Sequence, residues 1–286
     1  MVLKISKMKI LISAALLLSA SMALAAPQTA AQPAAQSTTP APAAPAAKAP
    51  PRKAPAPKTQ AEYDAYKAAS AQTEPGKAEA AATDFAQRFP DSELRAFLFQ
   101  QAMGLYQQAN NLDKALELAR TTLKYDPNNA VALLTAAQIL AERTHDNDLD
   151  KNDRFAEASA DAESALHHAG EVVQPANMTP AQFAESLAQL RGMAHDVLAT
   201  VAFNKLDYFT AIREYNLAAA EENGRTDAVV WLRLSVAHDK SGDFAAAMEA
   251  VNKAVAASEP GTQIRQLAEQ EKTRLEKLAA SAPPSK

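Results

Sequence analysis

Residues 99–129 read FQQAMGLYQQANNLDKALELARTTLKYDPNN, and this stretch decides the fold. Phe99, Ala102, Met103 and Tyr106 recur at three- and four-residue intervals, so they share one face of a helix. Asn110-Asn111 interrupts that pattern, and Asn111 is placed to cap a second helix opening at Leu112. Ala115, Ala119 and Thr122 then form a stripe of small residues, which Asp126-Pro127-Asn128-Asn129 ends. The stretch predicts helix, short turn, helix.

The same line returns along the chain as Ala78-Ala82-Phe85, Ala158-Ala162-Ala165, Ala211-Tyr215-Ala218 and Ala247-Val251-Ala254. Three residues ahead of each aligned Ala stands Leu112, Phe155, Tyr208 or Phe244, except in the first copy, where Pro75 suits a first helical turn. Asn111, Asp207 and Asp243 precede three of these positions as capping residues. Upstream of the last copy, Trp231, Leu234, Ser235 and His238 share a face before Gly242-Asp243-Phe244.

These strings resemble the tetratricopeptide repeat, a helix–turn–helix unit of about 34 residues. The resemblance covers roughly residues 61–260; copies at 61–91 and 130–169 depart most from the pattern. It implies an all-α, right-handed solenoid of about five stacked antiparallel helix pairs over residues 59–280, of a kind exported to a bacterial envelope. Aligned Ala residues are not evenly spaced: extra residues fall around Thr144–Asp153, and a connector covers Glu171–Thr179. Thr179, Pro180 and Gln182 carry the signature of a capping box opening a long helix toward Lys205. After Pro260, Ile264, Leu267, Leu275 and Leu278 line one side of a final helix, as a solenoid cap requires.

Composition agrees with that reading. Ala supplies 68 of 286 residues, against seven Gly and no Cys. Abundant Ala with few β-branched residues favours helix. The widely separated glycines exclude phosphate-cradling loops, and the lack of Cys excludes disulfides, thiolate metal sites and cysteine nucleophiles. No cofactor is expected. The first 58 residues hold seven basic and no acidic residues, so the net charge of −4 hides a remainder of 22 basic and 33 acidic residues, or −11. Such an acidic part is a poor nucleic-acid binder, because that affinity rests on phosphate neutralisation.

Residues 1–26 have the layout of a signal peptide: Lys4, Lys7 and Lys9, an apolar run from Ile10, and a small-residue site near Ala25. The run is short and diluted by Ser13, Ser19 and Ser21, which disfavours the competing reading of a retained anchor. The expectation is a periplasmic or secreted protein with no stable membrane insertion after cleavage. Residues 27–58 contain nine prolines and predict a disordered linker, either an inert spacer or one whose basic residues touch the cell envelope. Residues 281–286 are expected to form a disordered tail.

The resemblance places a partner-binding groove on the first helix of each pair. Carried onto this sequence, it implies Phe97, Gln100, Gln107, Gln108, Leu134, Gln138, Glu142, Asp196, Thr200, Phe203, Asn204, Leu232, Asp239 and Lys240. A mixed amide, acidic and aromatic set suits a protein or peptide partner, hence a scaffold or adaptor. The alternative is a calcium- or metal-responsive module. Asp146, Asp148 and Asp150, with Glu157 at the twelfth place, resemble an EF-hand loop, although Lys151 stands where Gly is needed. Glu163 and His167 could hold two corners of another metal site, whereas His195 and His238 fall on the packing face. No catalytic trio stands out; an envelope enzyme is the third reading.

Overall fold

The computed structural model describes residues 54–221 and 226–281. The expected signal peptide, most of the linker and the last five residues lie outside the described residues. Eleven α-helices follow one another, and no strand occurs among the described residues.

The pairs are α1 (Gln60–Ser70) with α2 (Pro75–Arg88), α3 (Leu94–Gln108) with α4 (Leu112–Tyr125), and α5 (Ala130–Arg143) with α6 (Lys151–His168). After a single 3-10 turn at Ala169–Glu171 come α7 (Pro180–Asn204) with α8 (Tyr208–Glu221) and α9 (Ala228–Ser241) with α10 (Phe244–Ala257). The last helix, α11 (Gln263–Ser281), packs on α10 and α9.

Local chemistry sets the boundaries. Thr59, Asn111, Asn129, Asp207, Asp227 and Asp243 each accept a hydrogen bond from a backbone N–H of the turn they open. At Thr179 the capping box is complete: its Oγ1 accepts from Gln182 N, and Gln182 Oε1 accepts from Thr179 N at 2.9 Å. Pro75 and Pro180 occupy first-turn positions, where no backbone donor is lost. Gly242 ends α9 in the left-handed region at φ 87°, which a residue without Cβ adopts freely.

The core is a chain of four apolar clusters. The first joins α1 to α5, through Phe85, Phe99 and Met103; the second joins α5, α6 and α7, through Leu140, Phe155 and Val197. The third lies among α7, α8, α9 and α10 around Tyr215, and the fourth joins α9 and α10 to α11 through Leu232, Val251 and Leu275. Helices α5, α7, α9 and α10 each serve two clusters. Double duty explains why the 130–169 copy departs from the pattern: α5 buries ten of its 14 residues and leaves only Val131, Gln138, Glu142 and Arg143 outside the core. The small stripe read from sequence is the packing seam, with Ala82, Ala119, Ala162, Ala211 and Ala247 wholly buried.

Among the first helices and the cap, α1 packs on α3, α5 on α7 and α9 on α11, whereas α3 meets α5 and α7 meets α9 mainly through side chains; no two successive second helices pack as closely as those three. Long side chains bridge the second helices instead, among them Lys114 to Glu79 and Arg120 to Glu157. The row of first helices is therefore the crowded, inner side of the stack.

Candidate functional site on the inner row of helices

The inner row is laced by polar side chains. Gln101 Nε2 on α3 donates to the carbonyls of Ser70 and Gln72 at the end of α1, at 2.8 and 3.1 Å. Asn129 spans the next junction: its Oδ1 caps α5 while its Nδ2 donates to Gln100 Oε1 at 2.9 Å. Gln107 Nε2 reaches Thr135 Oγ1 of α5 at 3.4 Å. At the far end, Arg274 of α11 donates to Asp239 of α9 at 2.7 Å.

A denser cluster lies where α5, α7 and α9 face one another. Arg233 Nη1 donates to Thr200 Oγ1 at 2.9 Å and stands 3.8 Å from Asp196 Oδ1. At 3.8 Å the charges attract without a hydrogen bond. Removal of water therefore outweighs the Arg233 charge and raises the Asp196 carboxyl above its usual range. Glu142 keeps an open surface, yet the surrounding walls crowd it and also raise its carboxyl, against the pull of Arg233 and with a push from Asp196. Tyr215 comes from α8 behind the cluster; it is wholly buried, and its phenol is raised by burial. Asp196 Oδ1 and, one turn before Glu142, Gln138 Oε1 are buried atoms without a hydrogen-bond partner, while the Tyr215 hydroxyl lies against Thr200 and Arg233.

Of the groove positions expected from sequence, Glu142, Asp196 and Thr200 converge. Gln100 and Gln107 are half-buried and tie helices together, and Asp239 is taken up by Arg274. Gln108, Asn204 and Lys240 are exposed. Phe97 packs half-buried on the first apolar cluster, and Phe203 meets Tyr208 edge-on at 5.5 Å. Leu134 and Leu232 need correction: they are buried in the second and fourth clusters and line no groove. Sequence reading missed Arg233 and Tyr215. Arg233 follows Leu232 directly, and one residue turns a helix by about 100°, enough to exchange core for inner face.

The acidic loop does not converge as an EF-hand would. Asp148 accepts from His145 N at 2.7 Å, Asp146 is 3.2 Å from Lys151 Nζ, and Asp150 pairs loosely with Arg154. Glu157 lies inside α6 and turns to Arg120, accepting at 2.7 and 3.0 Å. Among the described residues no group of three or more His, Cys, Asp or Glu is arranged to hold a metal ion. His195 Nδ1 is bonded to Glu214 at 2.7 Å, and Arg213 holds the same carboxylate. His238 sits 3.8 Å from Asp243, with its imidazole lowered by burial. His167 stacks edge-on against His168.

The stacked pairs define an all-α solenoid of antiparallel helix pairs. No family profile matches the chain, and no curated protein matches it in sequence. Solved structures similar to it include PilW, described as a widely conserved type IV pilus biogenesis factor, at 18% identity over 80% of this chain and 96% of that one, with a TM-score of 0.44. Another is TTC0263, a thermophilic TPR protein of Thermus thermophilus, at 13% identity over 73% and 98%, with a TM-score of 0.43. A third is MamA, at 17% identity over 65% and 86%, with a TM-score of 0.41. All three scores lie below 0.5, so the fold statement stands on the helix packing above.

Proposed function

We propose that the protein is an exported scaffold or adaptor that holds a segment of a partner protein along the inner row of first helices. One observation carries this reading: the inner face between α5, α7 and α9 keeps buried polar atoms that the fold leaves unpartnered. Buried polar groups ordinarily find partners, so acceptors left open on a crowded face are suited to donors that arrive with another molecule. The acidic balance of the helical part speaks for protein rather than nucleic acid. No helix among the described residues is long and apolar enough to cross a membrane.

Export by residues 1–26, with 27–58 as a spacer before the solenoid, belongs to the same proposal. Cleavage there removes Lys4, Lys7 and Lys9 and takes the net charge from −4 to −7. Amino-terminal sequencing of protein from the native cell tests it, and an intact Met1 on the mature protein would refute cleavage. The scaffold reading is tested with a photo-crosslinking residue at Gln138 on the inner row or at Thr121 on α4 in the outer row. Crosslinks are expected from Gln138; equal capture from Thr121, or none from Gln138, removes the inner face from consideration.

A further inference from the structure

We infer that the edge formed by the turns of the last three helix pairs is a self-association surface, on which a second copy of this chain docks with its stack antiparallel. The inference does not depend on the inner-face reading, because this edge leaves the row of first helices open.

Large apolar side chains open to solvent gather on that edge. Leu149 stands fully exposed in the turn between α5 and α6. Leu206 is 70% and Phe209 80% exposed where α7 turns into α8, and Phe244 is 52% exposed where α10 begins. Each turn joins the first helix of a pair to its second, and successive pairs stack in the same sense, so the three turns share one edge. The corresponding turns of the first two pairs are polar, at Gln72-Thr73 and Asn110-Asn111. Apolar residues scattered singly need no partner, whereas a row of them marks a contact surface.

Backbone geometry singles out the centre of this edge. Asn110, Leu206 and Gly242 occupy the same place at the ends of their helices, and in each case the next N–H reaches back to a carbonyl at 2.9 Å, that of Tyr106, Ala202 or His238. All three lie in the left-handed region, with φ of 56°, 64° and 87°. Asn and Gly adopt that conformation readily; Leu does not, because its Cβ crowds the following carbonyl. Leu206 holds this strain and gains no burial within one copy. A second copy covering it and Phe209 supplies the burial that the isolated chain lacks.

Area and charge name the occupant. At these exposures the four side chains present roughly 500 Å² per copy, so pairing them with themselves encloses about 1,000 Å², where specific interfaces begin. The α5–α6 turn carries Asp146, Asp148 and Asp150, while the other two turns carry the exposed Lys205 and Lys240, neither in an ion pair among the described residues. Asp207 and Asp243 beside these lysines are committed to capping α8 and α10. A two-fold axis through the α7–α8 turn, square to the edge, sets the acidic turn of each copy on the α9–α10 turn of the other. Leu149 then meets Phe244 and the aspartates meet Lys240, with Leu206 and Phe209 about the axis. Two stacks placed parallel would instead face one acidic turn with the other.

Sedimentation velocity of the full chain purified from the native cell tests this. A dimer in the micromolar range is expected, with Phe209→Ser and Leu206→Asn each raising its dissociation constant about tenfold or more. Asn110 already adopts the same turn conformation, so Leu206→Asn should not lower the melting temperature, and loss of the dimer is then not loss of the fold. The chain holds no Cys, so single-cysteine variants with a short bis-maleimide report the orientation. Phe209→Cys should crosslink to itself, and a mixture of Leu149→Cys with Phe244→Cys should crosslink more than either alone. A monomer overturns the inference, whether its edge is bare, covered by residues 27–53 of the same chain or taken by another protein. A dimer that both substitutions leave intact, or one in which Leu149→Cys crosslinks mainly to itself, overturns it as well.

Discussion

Arg233 on α9 donates to Thr200 on α7 at 2.9 Å and stands 3.8 Å from Asp196, one turn before Thr200 on the same helix. The strong donor is thus used on a neutral hydroxyl, and the charge partner receives attraction without a hydrogen bond. A half-paired arrangement of this kind stabilises little but becomes costly when one member is removed. Arg233→Ala is expected to lower stability by about 3 kcal/mol, and Arg233→Met combined with Asp196→Leu by much less. Urea denaturation checks this: the midpoint should fall in the single variant at constant slope and recover in the double.

Asp161 on α6 gives the pH dependence. Burial first, then the neighbouring Glu157, push its carboxyl up from 3.8 to about 6, against the attraction of Arg120. The native state therefore holds this proton more tightly than the unfolded chain does. The stability it contributes is fully present below pH 3.8 and is lost as pH rises through 6. Asp161→Asn should raise stability near pH 7.5 by about 1 kcal/mol, less than the full shift implies because the carboxyl is partly solvated. Near pH 4 the gain should vanish; melting curves at the two pH values decide it.

Two glycines should respond in opposite directions. Gly104 lies inside α3, and a Cβ built there meets nothing within 4 Å, so Gly104→Ala should stabilise by about 0.5–1 kcal/mol. Gly242 also has open space, but its φ of +87° strains any residue with a Cβ, and Gly242→Ala should cost about 1 kcal/mol. Chemical denaturation of both in parallel tests the turn geometry directly.

A chain ended after Pro260 would lose α11 and uncover Leu232, Val251 and the seam of Ala247 and Ala254. Terminal units with a polar outer face keep a solenoid soluble. The truncated protein should bind a hydrophobic dye and elute as aggregate in size-exclusion chromatography. A monodisperse, dye-silent product would mean that α11 is not a cap.

Much of the fold was legible because caps and small-residue stripes are local signals. Thr179 with Gln182, Asn111, Asp243 and Gly242 each announce a boundary within four residues, and each occurs where expected. The inner-face site was half legible. Glu142, Asp196 and Thr200 are groove positions that the resemblance implies, but their convergence on Arg233 joins residues from three helices far apart in the chain, which no periodicity encodes. Leu232 and Arg233 show the limit: on α9, which is buried toward two clusters, a register error of one residue exchanges the two environments. The acidic loop's likeness to an EF-hand, offered as the alternative, breaks down for a related reason. Glu157 has the right spacing along the chain, yet Arg120, 37 residues earlier, lies across from it and takes it.

Helix α7 is 25 residues long, roughly 37 Å, and belongs to two of the four apolar clusters while its Asp196 and Thr200 meet α9. A stack of cores joined through shared helices passes a displacement from one core to the next, and α7 is the longest of the shared members. A substitution that shifts α7 therefore reaches two cores at once.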